Sequence, residues 1–286
     1  MGPGFFMEYA RLAYLFAVLP VLKVLVVFFP FFLCGLVIRF LKERIDTVLI
    51  NEYGRIPYFI FAALGTPVHE LSHIIASLLF GHKVKRFSLF FPRRDGQLGY
   101  VEHAYNPDSL YQRVGCFFIG MAPVVMGCAF FFLLTRLFFP GFRFADEIYV
   151  SFKGVASLKS ISALSSFFSG LAVFFKSFIM EFIGRIAAGD WKPVFYLLLT
   201  TGIGSHMFPS RADFSGTVPG IIVLYTVIVV SNFVLFLLSV HFDRVVAMGI
   251  AWTALWVNIM LLIILVLAFA GVALYAPVLI KRALSS

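Results

Sequence analysis

YFIFAALGTPVHELSHIIASLLFG, residues 58–81, decides how the rest of the chain is read. Apolar and small residues fill it except for one cluster, His69, Glu70 and His73. Roughly 20 apolar residues span a bilayer, so the stretch reads as a transmembrane helix. A charge at bilayer depth costs about 2.5–3.5 kcal/mol on insertion scales, so ionisable groups there usually have a function. On a helix, residues i and i+4 share a face, which lets His69 and His73 reach one metal ion. Glu70, the next residue, is then placed to act as general base on a metal-bound water. H-E-x-x-H chemistry inside a lipid-spanning helix points to peptide hydrolysis within the membrane.

Composition agrees with that setting. Of 286 residues, 61% are hydrophobic and 13% charged, with a mean hydropathy of +0.98. A soluble domain carries about 25% charged residues, so the expected fold class is an all-α polytopic membrane protein. The net charge of +9 does not indicate nucleic acid. Its Lys and Arg flank apolar stretches, where they set orientation, and no basic run interleaved with exposed aromatics occurs. Cys34, Cys116 and Cys128 lie in apolar surroundings without C-x-x-C spacing and read as small buried hydrophobes. The first apolar stretch lacks a small-residue cleavage site and reads as a retained span.

About six transmembrane helices follow from the hydropathy pattern, near residues 14–40, 58–81, 114–139, 193–207, 218–240 and 246–275. The fourth is short and glycine-interrupted. Irregular backbone at that depth is tolerated only against protein or water, which hints at a site. A small β-hairpin is expected at 83–103, between the second and third spans, where β-prone runs flank Asp95 and Gly96. Residues 158–186 read as a helix lying in the membrane interface. The organisation is therefore an N-terminal span and connection (1–57), a core (58–240) and a C-terminal span (241–286). Arg11, Lys83, Lys85, Arg86, Arg93, Arg94, Arg211, Lys281 and Arg282 collect on one side, which places both ends of the chain in the cytoplasm. A bacterial inner membrane is the expected location.

A catalytic zinc takes three protein ligands and keeps one position for water. His82 lies nine residues beyond His73, past Gly81, and needs an unusual return of the chain to serve as the third. GIGSHMFPSRADFSG, residues 202–216, offers Asp213 just inside the start of a span, either as ligand or as a helix cap. Asn106-Pro107-Asp108 reads as a helix cap ahead of the third span.

The segment from His69 to Val84 resembles the active-site helix of the site-2 protease family of intramembrane zinc metalloproteases. GMAPVVMG, residues 120–127, is similar to that family's small-Gly-Pro-x-x-Asn segment, and His206 through Asp213 to its Asn-x-x-Pro…Asp-Gly segment. Gly127, His206 and Phe214 stand where the family has Asn, Asn and Gly. The resemblance covers about residues 66–216. It implies one zinc ion held by His69, His73 and Asp213, with Glu70 as general base and a transmembrane protein as substrate. His206 is the candidate for stabilising the oxyanion, with a structural histidine as the alternative. An exposed edge of the hairpin is expected to pair with the unwound substrate. Two other readings are a catalytically silent relative that serves as a membrane-bound partner, and a transporter, which predicts charges spread over several spans.

Overall fold

A computed structural model describes residues 19–93, 96–142, 161–237 and 243–285. The chain is mostly helical, with one two-stranded antiparallel sheet. Helix α1 (Leu19–Val48) runs into a π-helical turn (Leu49–Tyr53), and Gly54 at φ 89° starts α2 (Arg55–Leu79). Strands β1 (Lys83–Ser88) and β2 (Tyr100–Ala104) come next in the chain, then α3 (Leu110–Phe138). The remaining helices are α4 (Ile161–Ala187), α5 (Lys192–His206), α6 (Arg211–Leu237) and α7 (Asp243–Ser285).

Among the described residues, four helices are long and apolar enough to cross a membrane: Arg55–Leu79, Leu110–Phe138, Ala212–Ser231 and Trp256–Leu284. The expected span at 14–40 lies partly outside the described residues. The expected span at 193–207 forms α5, which at 15 residues is about 22 Å long and shorter than the hydrocarbon core. Residues 161–187 are helical, as the sequence rhythm predicts. Leu78, Leu137 and Ile222 stand well exposed on the crossing helices, as lipid-facing side chains do.

Helix α2 lies between α3 and α5, α6 packs along α3, and α7 packs along α1. Glycines set the closest of these crossings. A side chain at Gly65 would overlap the Gly202 carbonyl and His206, and one at Gly120 would overlap Thr217. Small residues let membrane helices approach at backbone distance, where dispersion replaces the hydrophobic drive available in water. Gly127, where the family resemblance leads one to expect asparagine, faces Met207, and a Cβ there would lie 2.5 Å from the Met207 Cβ. That contact leaves no room for the larger side chain.

Part of the phenylalanine content has a packing role. Phe131, Phe138, Phe139 and Phe178 pack their rings against the fully buried Tyr196, with Phe182 behind Phe139 and Phe178, joining the end of α3 to α4 and α5. Ring pairs there meet at 4.9–6.1 Å between centroids, edge-on or tilted except for the stacked Phe139–Phe182 pair. The Tyr196 hydroxyl finds Thr135 Oγ1 at 2.9 Å, so the aromatic cluster buries no unsatisfied phenol.

Gly81, at φ 71°, ends α2. Its N–H donates to Leu78 O at 3.1 Å and the His82 N–H to Ser77 O at 2.8 Å, the two bonds of a Schellman motif. The chain then reverses into β1. Strand β1 pairs with β2 from Lys83↔Ala104 to Ser88↔Tyr100, with an irregularity between Val84 and Arg86. Beyond the strands the hairpin continues through backbone bonds, from the Phe91 N–H to Leu98 O at 2.6 Å and from the Arg93 N–H to Gln97 O at 2.8 Å, with the Gly96 N–H donating to Arg93 O at 3.2 Å. Gly96 has φ 88°, and the Asp95 expected beside it in the turn lies outside the described residues. The Asn106-Pro107-Asp108 turn differs from its expected capping role. Asn106 Oδ1 accepts from the Asp108 N–H in an Asx turn, while Ser109 supplies the N-cap, accepting from the Gln112 N–H.

Candidate metal centre

His69 and His73 project from one face of α2 and meet Asp213 from the first turn of α6. The three side chains offer ligand atoms within 4.8 Å of one another. The two Nε2 atoms are 3.2 Å apart, His69 Nε2 lies 3.4 Å from Asp213 Oδ2, and His73 Nε2 lies 3.2 Å from Asp213 Oδ1. Tetrahedral ligands about 2.0–2.1 Å from zinc sit roughly 3.3–3.4 Å from each other, so these separations suit one small divalent ion.

Hydrogen bonding fixes what the imidazoles can offer. His69 Nδ1–H donates to the His206 carbonyl at 2.7 Å, and His73 Nδ1–H to the Ile119 carbonyl at 2.9 Å. Carbonyls only accept, so each Nδ1 carries the proton and each neutral ring turns its Nε2 lone pair inward. Two lone pairs and a carboxylate facing one another at 3.2–3.4 Å repel unless a cation or proton lies between them. Outer hydrogen bonds of this kind orient and select the tautomer of metal-binding histidines.

Both carbonyls are available because prolines interrupt the helical ladders. In α3, Ile119 O would accept from residue 123, but that residue is Pro123, which has no N–H. At the end of α5, His206 O would accept from residue 209 or 210. Residue 209 is Pro209, and the Ser210 N–H is committed to Asp213 Oδ2 at 2.7 Å. The Asp213 N–H in turn meets Ser210 Oγ at 3.2 Å, completing a reciprocal cap on α6. Asp213 therefore caps its helix and faces the histidines at once; the two readings of it are compatible.

Pro123→Ala restores an N–H that competes for Ile119 O and loosens the His73 ring. The expected result is a zinc affinity lower by about 10–100-fold with the helical content unchanged, measured by competition with a metal-chelating dye and by circular dichroism.

Glu70 is 7% exposed, and among the described residues its carboxylate makes no hydrogen bond to the protein. It lines the same cavity as the three ligand candidates, about 850 Å³ in volume, with His103 and His206 also in the wall. The β1–β2 connection passes over it. A Cβ at Gly99 would lie 2.8 Å from both Glu70 Cγ and the Ser88 carbonyl, so only glycine lets the backbone run so close.

His206 occupies the cavity wall. Its Nδ1 lies 3.0 Å from Gly202 O and 2.9 Å from Ser205 Oγ, and its buried Nε2 has no hydrogen-bond partner among the described residues. Donation from Nδ1 to Gly202 O leaves Nε2 an acceptor, whereas acceptance at Nδ1 from the Ser205 hydroxyl leaves Nε2–H a donor, the form an oxyanion requires. The backbone of His206 carries the clearer contribution, through the carbonyl that holds His69. His82 stands apart from the ligand group. It is 3% exposed beneath the hairpin, stacked on Tyr105 and hydrogen-bonded to His103. Burial, and next the adjacent His82, hold the His103 imidazole below its ordinary pKa.

His103, Gly99 and the role of Pro123 escaped sequence reasoning. Pro123 carried a legible signal, since a proline inside a span frees the carbonyl four residues earlier. His103 carried none, because its proximity to the H-E-x-x-H helix depends on the reversal at Gly81. Compared with protein-family models, curated proteins and solved structures, the chain matches none of them.

Proposed function

We propose that this chain is an intramembrane zinc metalloprotease of the site-2 protease type, hydrolysing peptide bonds of membrane-embedded protein substrates. The observation that carries the reading is the inward-facing donor set of His69, His73 and Asp213, with an uncommitted Glu70 in the same cavity, on helices built for lipid. His69 and His73 would hold the ion through Nε2 and Asp213 through its carboxylate. A zinc ion bound there supplies Lewis acidity, lowering the pKa of a coordinated water to about 7 and polarising a carbonyl.

The chain's own residues do the rest. Glu70 takes the proton released by the attacking water and passes it to the leaving amine. The His206 and Ile119 carbonyls keep both imidazoles in the ligating tautomer. A substrate helix shields its own peptide bonds, so the segment to be cut unwinds and pairs with an exposed edge of the β1–β2 sheet. In this reading the bilayer is crossed about six times, α4 lies in the interface, and both ends of the chain are cytoplasmic, in a bacterial inner membrane. The flanking Lys and Arg support that orientation.

Metal removal tests the proposal. Purified protein in detergent should cleave a labelled transmembrane peptide, lose that activity on dialysis against 1,10-phenanthroline, and recover it with one equivalent of zinc. Cleavage that persists after full removal of metal contradicts the reading.

A further inference from the structure

His82 and His103 form a directed pair outside the metal centre. His82 Nε2 lies 2.8 Å from the Gln112 carbonyl, which can only accept, so that nitrogen carries a proton. In the neutral ring His82 Nδ1 is then a lone pair. His103 Nδ1, 3.0 Å away, must donate to it. The chain of bonds runs from His103 through His82 to a backbone carbonyl of α3, and it fixes His103 as the Nδ1–H tautomer. Its Nε2 is left as an acceptor with no protein partner among the described residues, on a half-buried ring in the wall of the cavity that holds Glu70 and His73.

Anchoring the hairpin to α2 and α3 does not by itself call for this arrangement. His82, nearly fully buried, bonded to Gln112 O and stacked on Tyr105, already makes the anchor. A peptide segment drawn into the cavity arrives with backbone N–H groups stripped of their helical partners. Each one buried without an acceptor keeps the full penalty of its lost hydration. The cavity therefore needs acceptors that the metal centre does not supply.

We propose that His103 is a substrate-positioning residue, whose Nε2 accepts a hydrogen bond from an N–H of the unwound peptide segment. The inference rests on the protease reading, and it assigns His82 and the Gln112 carbonyl the task of holding the His103 ring in the accepting tautomer.

Diethyl pyrocarbonate acylates unprotonated, accessible imidazole nitrogens, and the modified position is read by peptide mass spectrometry. Zinc-loaded full-length protein should be labelled at His103, and saturation with a short apolar peptide hydroxamate should reduce that labelling severalfold. His103→Ala should weaken hydroxamate binding about fivefold at unchanged zinc content, and His103→Gln, which keeps an acceptor oxygen, should restore most of it. Hydroxamate binding that leaves His103 labelling undiminished, or equal binding by the alanine variant, overturns the proposal alone. Failure of the hydroxamate to bind the zinc-loaded protein overturns the protease reading together with it.

Discussion

Asp213→Asn should leave a folded protein that no longer retains zinc. The substitution separates the helix cap that Asp213 makes from the metal ligation proposed for it. The amide oxygen can still accept from the Ser210 N–H, now held at 2.7 Å, so the cap on α6 survives. A lost cap would cost about 1 kcal/mol, which is small beside a lost metal ligand. The amide has no negative charge to offer a divalent ion, and His69 and His73 alone form an incomplete site. Zinc affinity should fall by more than about 100-fold, beyond the 10–100-fold typical of a lost outer hydrogen bond. Competition titration gives the affinity, and circular dichroism of the same sample reports the fold. Undiminished zinc binding by a well-folded Asp213→Asn variant would remove Asp213 from the site.

Glu70→Gln should produce the opposite split, with zinc retained and cleavage lost. The carboxylate makes no hydrogen bond to the protein among the described residues, so exchanging it for an isosteric amide breaks no structural contact. Gly99 packs against the Glu70 Cγ position, which the amide leaves unchanged. Glutamine cannot accept the proton, so the general-base contribution disappears, a loss of about 10²–10⁴-fold in turnover. Turnover of a labelled peptide and zinc content should be measured on one preparation. Lost zinc together with lost cleavage would show Glu70 to be structural; unchanged turnover would exclude it as the base.

How much of this was visible in the sequence depends on the range of the interaction. The i, i+4 spacing of His69 and His73 is a local property of one helix, and α2 forms at 55–79 where hydropathy expects a span at 58–81. Asp213 was legible as a ligand candidate through its place at a helix start beside Pro209. Its approach to α2 depends on crossings at Gly65, Gly120 and Gly202, which no periodicity reveals. The β-prone runs led to the expectation of a hairpin at 83–103, and a small two-stranded antiparallel sheet forms, while the passage of Gly99 over Glu70 carried no sequence signal. At Gly99 the backbone is drawn over Glu70, and past Ser88↔Tyr100 the hairpin continues through the Phe91–Leu98 and Arg93–Gln97 backbone bonds. At His206 the backbone makes a contribution that no motif reveals, since its carbonyl accepts from His69 Nδ1.

The central claim is that one divalent ion sits between α2 and the start of α6. Zinc X-ray absorption on the purified full-length protein, alongside elemental analysis, tests it most directly. The account predicts one zinc per chain, with two imidazole nitrogens and carboxylate or water oxygens at about 2.0–2.2 Å, and loss of the ion in His73→Ala. A metal-free protein after purification in zinc-containing buffer, or zinc bound without imidazole scattering, would contradict it.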